Sequence, residues 1–127
     1  MHSKASLHYK VAINLKESTM IPSQMLKGLL EGAVLELIKK EDTYAYEISK
    51  QLEELGFGEV SEGTIYPIIL RLQKNKLIFG EKRPSPSGPE RKYYKLTQEG
   101  QEYLKEFKIN WKNLSTAINN LLGDNYE

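Results

Sequence analysis

The chain has 127 residues, 39% of them hydrophobic, and no cysteine, which leaves room for one domain with a small core and excludes disulfides, thiolate metal sites and a cysteine nucleophile. No apolar run approaches the roughly 18 residues of a membrane span, and the first 20 residues lack the apolar block of a signal peptide, so a soluble, cytoplasmic protein is expected. The net charge of +1 hides a segregation: residues 1–19 sum to +2, 20–60 to −4, 61–95 to +5 and 96–127 to −2. Positive charge confined to one stretch draws a polyanion to that stretch alone, as in a nucleic-acid-binding module; a solvated basic hairpin is the reading that charge leaves open beside it.

In chain order, "YKVAINL" near the N-terminus alternates like a strand, with Tyr9, Val11, Ile13 and Leu15 on one side. Residues 1–19 are read as an upstream extension or leader, with an edge strand as the second reading. From residue 24 to residue 40 apolar residues recur in pairs four apart, from Met25 and Leu26 to Leu37 and Ile38, which predicts a first helix with Pro22 and Ser23 at its entry. A second, shorter helix fits residues 44–55, with Tyr44, Ile48, Leu52 and Leu55 on one side and "GFG" as its stop.

A third helix starts near Ser61, whose hydroxyl suits a cap, with Val60 and Ile65 placed as a hydrophobic staple. Ile65, Ile68, Ile69 and Leu72 share its buried face. Pro67 lacks the N–H that would bond the carbonyl of Gly63 and crowds it, so the pattern leaves open a kink or a later start. After Asn75 the period becomes extended: "LIFGEKR" and "RKYYKL" read as strands and "PSPSGPE" as a long, mobile hairpin tip. Thr97 then caps a last helix in which Leu104, Phe107, Trp111, Leu114, Ile118 and Leu121 form a heptad seam. So narrow a stripe over about three heptads packs on the domain or across a dimer axis.

Three helices, a hairpin and a long last helix are the order of a winged helix-turn-helix with a dimerisation arm, mainly α with a small β-hairpin. Within that order, "YAYEISKQL", "SEGTIYPIILRLQKNKLI" and "ERKYYKLTQEG" closely resemble the PadR-like transcriptional regulators, over about residues 20–122. The single C-terminal helix is similar to the short subfamily, which includes multidrug-sensing repressors. Three positions depart from the family pattern: Ala45 stands for the usual Gly, Lys76 for a Gly that commonly ends the third helix, and Leu70 for a residue often basic. The last departure removes a phosphate contact and sets an apolar group toward DNA.

The resemblance implies three parts: residues 1–19 as a leader, 20–96 as a winged helix-turn-helix DNA-binding domain, and 97–127 as a C-terminal dimerisation helix. It carries the third helix through Pro67, making residues 61–75 the recognition helix. Projection at 100° per residue then sets Gly63, Pro67, Leu70 and Lys74 opposite the core, with Thr64 and Tyr66 on the flanks. The expected DNA-contacting residues are Ser61, Thr64, Tyr66, Arg71 and Lys74 on this helix, and Lys82, Arg83, Arg91 and Lys92 on the wing. Two structural alternatives stand beside them: Tyr93 and Tyr94 as sheet packing, and Arg71 as the partner of a helix carboxylate.

By the same resemblance, Leu104, Phe107, Trp111, Leu114, Ile118 and Leu121 form the dimer interface, and Trp111 with Phe107 binds a flat aromatic effector, cationic or neutral. The plain reading of Trp111 is a dimer-core residue. The implied function is a dimeric repressor of a pseudo-palindromic double-stranded DNA operator, released by the effector and needing no cofactor or metal. The alternative is a winged-helix protein-interaction module. An enzyme does not fit, since His2 and His8 lie in the leader and no carboxylate pair sits among Gly-rich phosphate or metal motifs.

Overall fold

A computed structural model describes residues 21–123; the leader assigned to residues 1–19 lies outside them. The elements are a single turn α1 (Ser23–Leu26), α2 (Leu30–Lys40), α3 (Ala45–Leu52), α4 (Glu62–Lys74), the strands β1 (Ile78–Ser85) and β2 (Gly88–Leu96), and the long α5 (Gln98–Leu122). The fold is mainly helical with one antiparallel hairpin.

The first helix is not continuous. Gly28 takes φ +90°, a left-handed conformation that breaks the run between α1 and α2 and leaves Met25 exposed. The apolar pairing continues across the break, which is why periodicity alone joined the two pieces. The second helix also ends earlier than residue 55: after Leu52 the chain opens into a wider turn over Glu53–Phe57, where Gly56 has φ +105° and Leu55 points to solvent.

Helices α2, α3 and α4 enclose the core, where Val34, Leu35, Ile48, Leu52, Ile65, Ile69 and Leu72 are fully buried. Val60 is buried ahead of the α4 cap, and its carbonyl accepts a hydrogen bond from the Ser49 hydroxyl on α3. Leu77, Ile78 and Tyr94 extend this core onto the hairpin. Thr43, between α2 and α3, bridges Tyr94 of β2, whose N–H donates to the Thr43 carbonyl at 3.0 Å. The hairpin thereby gains a short third partner and is fixed to the helix-turn-helix.

The hairpin tip departs from expectation. Pairing runs through the Pro- and Ser-rich segment as far as Ser85 opposite Gly88, with an irregularity between Arg83 and Ser85, so the turn is short rather than a long loop. A two-stranded ribbon has free edges, and prolines there sacrifice no ladder bond that a neighbouring strand needs.

Two close approaches set α5 against the domain. A side chain at Gly32 of α2 would collide with the Phe107 ring at 2.3 Å, and one at Gly100 would meet the Leu77 carbonyl oxygen at 2.0 Å. Lys108 adds an ion pair to Glu36 of α2 at 2.8 Å. Leu104, expected at the dimer seam, is 2% exposed and belongs to the core of its own subunit. The apolar stripe left uncovered on α5 is therefore shorter than the heptad pattern implied, because its first apolar residue is already used to hold α5 in place.

Candidate nucleic-acid interface

Helix α4 begins at Ser61, whose hydroxyl accepts the Thr64 N–H at 3.3 Å and satisfies one donor of the first turn. The helix then runs without interruption through Pro67. Pro67 lies on the exposed side, where the carbonyl that loses its helical partner can turn to water instead. Ile65, Ile68, Ile69 and Leu72 are buried, while Thr64, Tyr66, Pro67, Leu70, Arg71 and Lys74 are exposed.

The end of α4 is closed by a left-handed residue that is not glycine. Lys76 has φ +60°; its N–H bonds to the Gln73 carbonyl and the Leu77 N–H to the Leu72 carbonyl, each at 2.9 Å. This pair of reversed bonds is a Schellman closure, with Leu72 and Leu77 both buried beside it.

In the wing, Lys82 faces Lys92 and Arg83 faces Arg91 across the ladder. Like charges directly opposite each other disfavour pairing. Arg83 is paired within the protein: its Nη2 donates to Asp42 Oδ2 at 2.7 Å and to Glu81 Oε1 at 2.9 Å, and its guanidinium lies 4.7 Å from the Tyr93 ring. Arg91 stacks 4.5 Å from the Tyr44 ring, which is itself 5.2 Å from Tyr93. The hydrogen bond from Arg83 holds the Asp42 and Glu81 carboxyls below their ordinary range. Burial, helped by the nearby Tyr66, pushes the Tyr94 phenol up.

The candidate DNA residues therefore fall into two groups. Ser61, Thr64, Tyr66 and Lys74 on α4 and Lys82 and Lys92 on the wing are exposed, and among the described residues these three lysines have no carboxylate within ion-pair distance. Arg71, Arg83 and Arg91 are engaged inside the protein; Arg71 Nε donates to Glu31 Oε2 of α2 at 2.9 Å. A groove of about 460 Å³ lies between α4 and the wing, lined by Glu62 and Tyr66 of α4, Tyr46 of α3, and Glu90, Arg91 and Lys92 of β2 among others. Asp42 and Tyr46 are not among the sequence-predicted site residues, and spacing alone sets Tyr44 on the apolar side of the second helix. The two tyrosines of "YAYE", one residue after the acidic pair Glu41–Asp42, are the available signal.

Beyond Phe107 no described residue of α5 is buried. Trp111, Leu114, Ile118 and Leu121 form an uncovered stripe, with Trp111 47% exposed. An open cleft of about 320 Å³ lies beside it, lined by Gly28, Leu29, Tyr103, Phe107, Trp111 and Leu114 among others. Among the described residues, no cluster of His, Asp or Glu is arranged to hold a metal ion, and no helix is long and apolar enough to cross a membrane.

A three-helix core whose third helix is capped at Ser61, followed by a two-stranded wing, defines a winged helix-turn-helix. The chain belongs to the PadR-like family of transcriptional regulators, whose family model matches residues 34–106. It is 53% identical to a PadR-like transcriptional regulator from Bacillus cereus of known structure, with 80% of this chain and 99% of that one covered and a TM-score of 0.73. A Streptococcus transcriptional regulator is 45% identical, over 77% of this chain and 96% of that one, with a TM-score of 0.70. Bacillus subtilis PadR, solved in complex with operator DNA, is 30% identical over 65% of this chain and 48% of that one, with a TM-score of 0.59.

Proposed function

We propose that this protein is a dimeric transcriptional repressor that binds a pseudo-palindromic operator through α4 and the wing of each subunit, and that a planar aromatic ligand at the dimer interface releases it. One observation supports the DNA reading above the others: the wing sets Lys82 directly opposite Lys92 across the ladder, with no carboxylate within ion-pair distance of either among the described residues. That arrangement costs stability in the free protein and is offset when phosphates approach. In this reading residues 20–96 are the DNA-binding unit and residues 97–127 the dimerisation arm. The α4 front enters the major groove, its N-terminus and the Ser61 and Thr64 hydroxyls face phosphate, and the wing lysines follow the neighbouring backbone.

The operator-bound Bacillus subtilis relative supports the same partner for this chain. The uncovered stripe from Trp111 to Leu121 gives a second subunit something to bury, and two-fold pairing there brings two Trp111 rings near one axis. Flat aromatics fit between such rings, and the cleft beside Phe107 and Trp111 supplies space for them. Release requires only that the ligand favour a dimer whose two α4 helices no longer match half-sites about 34 Å apart.

A mobility-shift titration with the promoter of the protein's own gene, with and without planar cationic dyes, tests this function. A discrete shift that competitor DNA does not abolish, reversed by a dye that quenches Trp111 fluorescence, is expected. Absence of any shift removes the DNA reading and leaves a protein-interaction module; quenching with an unchanged operator affinity removes the release mechanism.

A further inference from the structure

The outward face of α4 carries almost nothing that can hold a base edge by paired hydrogen bonds. Direct reading in the major groove relies on Arg or Lys against guanine, Asn or Gln against adenine, and carboxylates against cytosine. Opposite the buried face of α4 stand instead Gly63, Pro67 and Leu70, with Lys74 in the last turn and Tyr66 alongside. The helix's one guanidinium, on Arg71, is drawn back to Glu31 at 2.9 Å, and Gln73 sits on the flank toward the core, partly covered. Glu62 lies in the first turn and lines the groove toward the wing, where its carboxylate offsets part of the pull of the helix N-terminus on phosphate and cannot pair with guanine or adenine.

What this face does offer is apolar surface. Leu70 is 64% exposed, and Tyr66, one turn before it, is 49% exposed; with Pro67 between them they form a continuous apolar strip along the helix front. A single exposed leucine is unremarkable on a protein surface. A leucine at the centre of the face that enters the groove is different, because every water it displaces there must be repaid by a complementary group on the bases. The only apolar group that unmodified DNA displays in the major groove is the thymine C5-methyl.

We infer that Leu70, flanked by Pro67 and Tyr66, recognises thymine through its C5-methyl group, so that this chain reads its operator by methyl contact where a basic or amide side chain would read by hydrogen bonds. The inference rests on the proposed placement of α4 in the major groove and adds to it the base that the helix selects. Leu70 is then a specificity-determining residue rather than an anchoring one. Affinity stays with the lysines and the helix N-terminus, and sequence preference moves to the positions of thymines in each half-site.

The test replaces thymidines of the promoter duplex with deoxyuridine, singly and in blocks, which deletes the methyl and leaves charge and base pairing unchanged. Wild-type protein should lose affinity roughly fourfold for each contacted methyl, the factor given by about 0.8 kcal/mol for one buried methyl-sized group. Leu70→Ala, at an exposed position whose change leaves the core intact, should bind the thymine and uracil duplexes equally, at close to the affinity of wild type for the uracil duplex. A wild type indifferent to uracil throughout the duplex overturns the inference while leaving DNA binding standing. Undiminished discrimination in Leu70→Ala assigns the effect to DNA shape and overturns the role of Leu70. Failure of the wild type to bind either duplex overturns the parent reading, and this inference with it.

Discussion

The hydroxyl of Thr97 donates to the carbonyl of Lys76 at 2.7 Å, joining the residue that closes α4 to the N-cap of the long C-terminal helix. The same oxygen accepts the Gly100 N–H at 2.9 Å, and the Thr97 N–H bonds to the Leu77 carbonyl at 3.0 Å. One side chain thus caps α5 and ties it to the closing turn of α4, so a displacement of α5 is carried to α4 through hydrogen bonds rather than through a slack loop. Thr97→Val keeps the shape and removes both side-chain bonds. It should lower unfolding stability by about 1 to 2 kcal/mol, read by urea denaturation.

Gly100 sits one turn into α5 with the Leu77 carbonyl oxygen 2.0 Å from where a Cβ would be. Neither group is the end of a flexible side chain, so Gly100→Ala must push α5 off the joint. A loss of about 3 kcal/mol is expected, together with weaker operator binding; a variant as stable as wild type contradicts the joint.

Lys76 carries the reverse expectation. Its φ of +60° strains a side-chain-bearing residue, and the Schellman bonds around it use only backbone atoms. Lys76→Gly should raise stability by about 1 kcal/mol, after the entropy cost of glycine is subtracted from the relieved strain. The melting temperature of the two proteins decides it.

Much of this was legible from residue spacing, because caps and buried faces obey local rules. Ser61, Thr97 and the Ile65–Ile68–Ile69–Leu72 face stand where their pattern put them. The break at Gly28 was hidden because apolar pairs continue on both sides of it, and the wider turn after Leu52 because Leu55 kept the helical spacing. The paired tip of the hairpin was hidden by its prolines, which a free-edged ribbon tolerates. Leu104 fits a heptad and a core face equally well, and only the approach of α5 to Gly32 and Leu77 decides between them. The Arg71–Glu31 and Arg83–Asp42 pairs join residues about 40 positions apart, which local spacing cannot reveal.

The Asp42–Arg83–Glu81 cluster should make the docking of the wing acid-sensitive. Both carboxyls titrate below their ordinary values in the folded protein, chiefly through the Arg83 hydrogen bond. Their contribution is therefore fully present above the unfolded carboxylate values near pH 4 and is lost as the pH falls through the lowered folded ones. The pairs are solvent-exposed, so the effect is small. Asp42→Asn should shrink the difference in stability between pH 6 and pH 3, and at neutral pH, by removing one of the two carboxylates beside Arg83, should tighten binding to mixed-sequence DNA. An unchanged pH difference in Asp42→Asn contradicts the assignment.

The stripe on α5 gives a prediction that separates assembly from ligand binding. Leu114→Glu combined with Ile118→Glu places charge on the uncovered face, where it disturbs nothing in the subunit core, and should give monomers at micromolar concentration in sedimentation. Trp111→Ala should remain dimeric and lose dye binding. A monomeric Trp111→Ala protein assigns that ring to the dimer core instead.

The salt dependence of operator affinity bears most directly on the DNA reading. With about four phosphates met by each subunit of a dimer, log K should fall against log salt with a slope near −7, at about −0.9 per contact. The double variant Lys82→Gln with Lys92→Gln should reduce that slope by about 3 to 4. A wild-type affinity independent of salt, or a double variant that binds as tightly and with the same slope, would contradict the assignment of the wing and α4 to DNA.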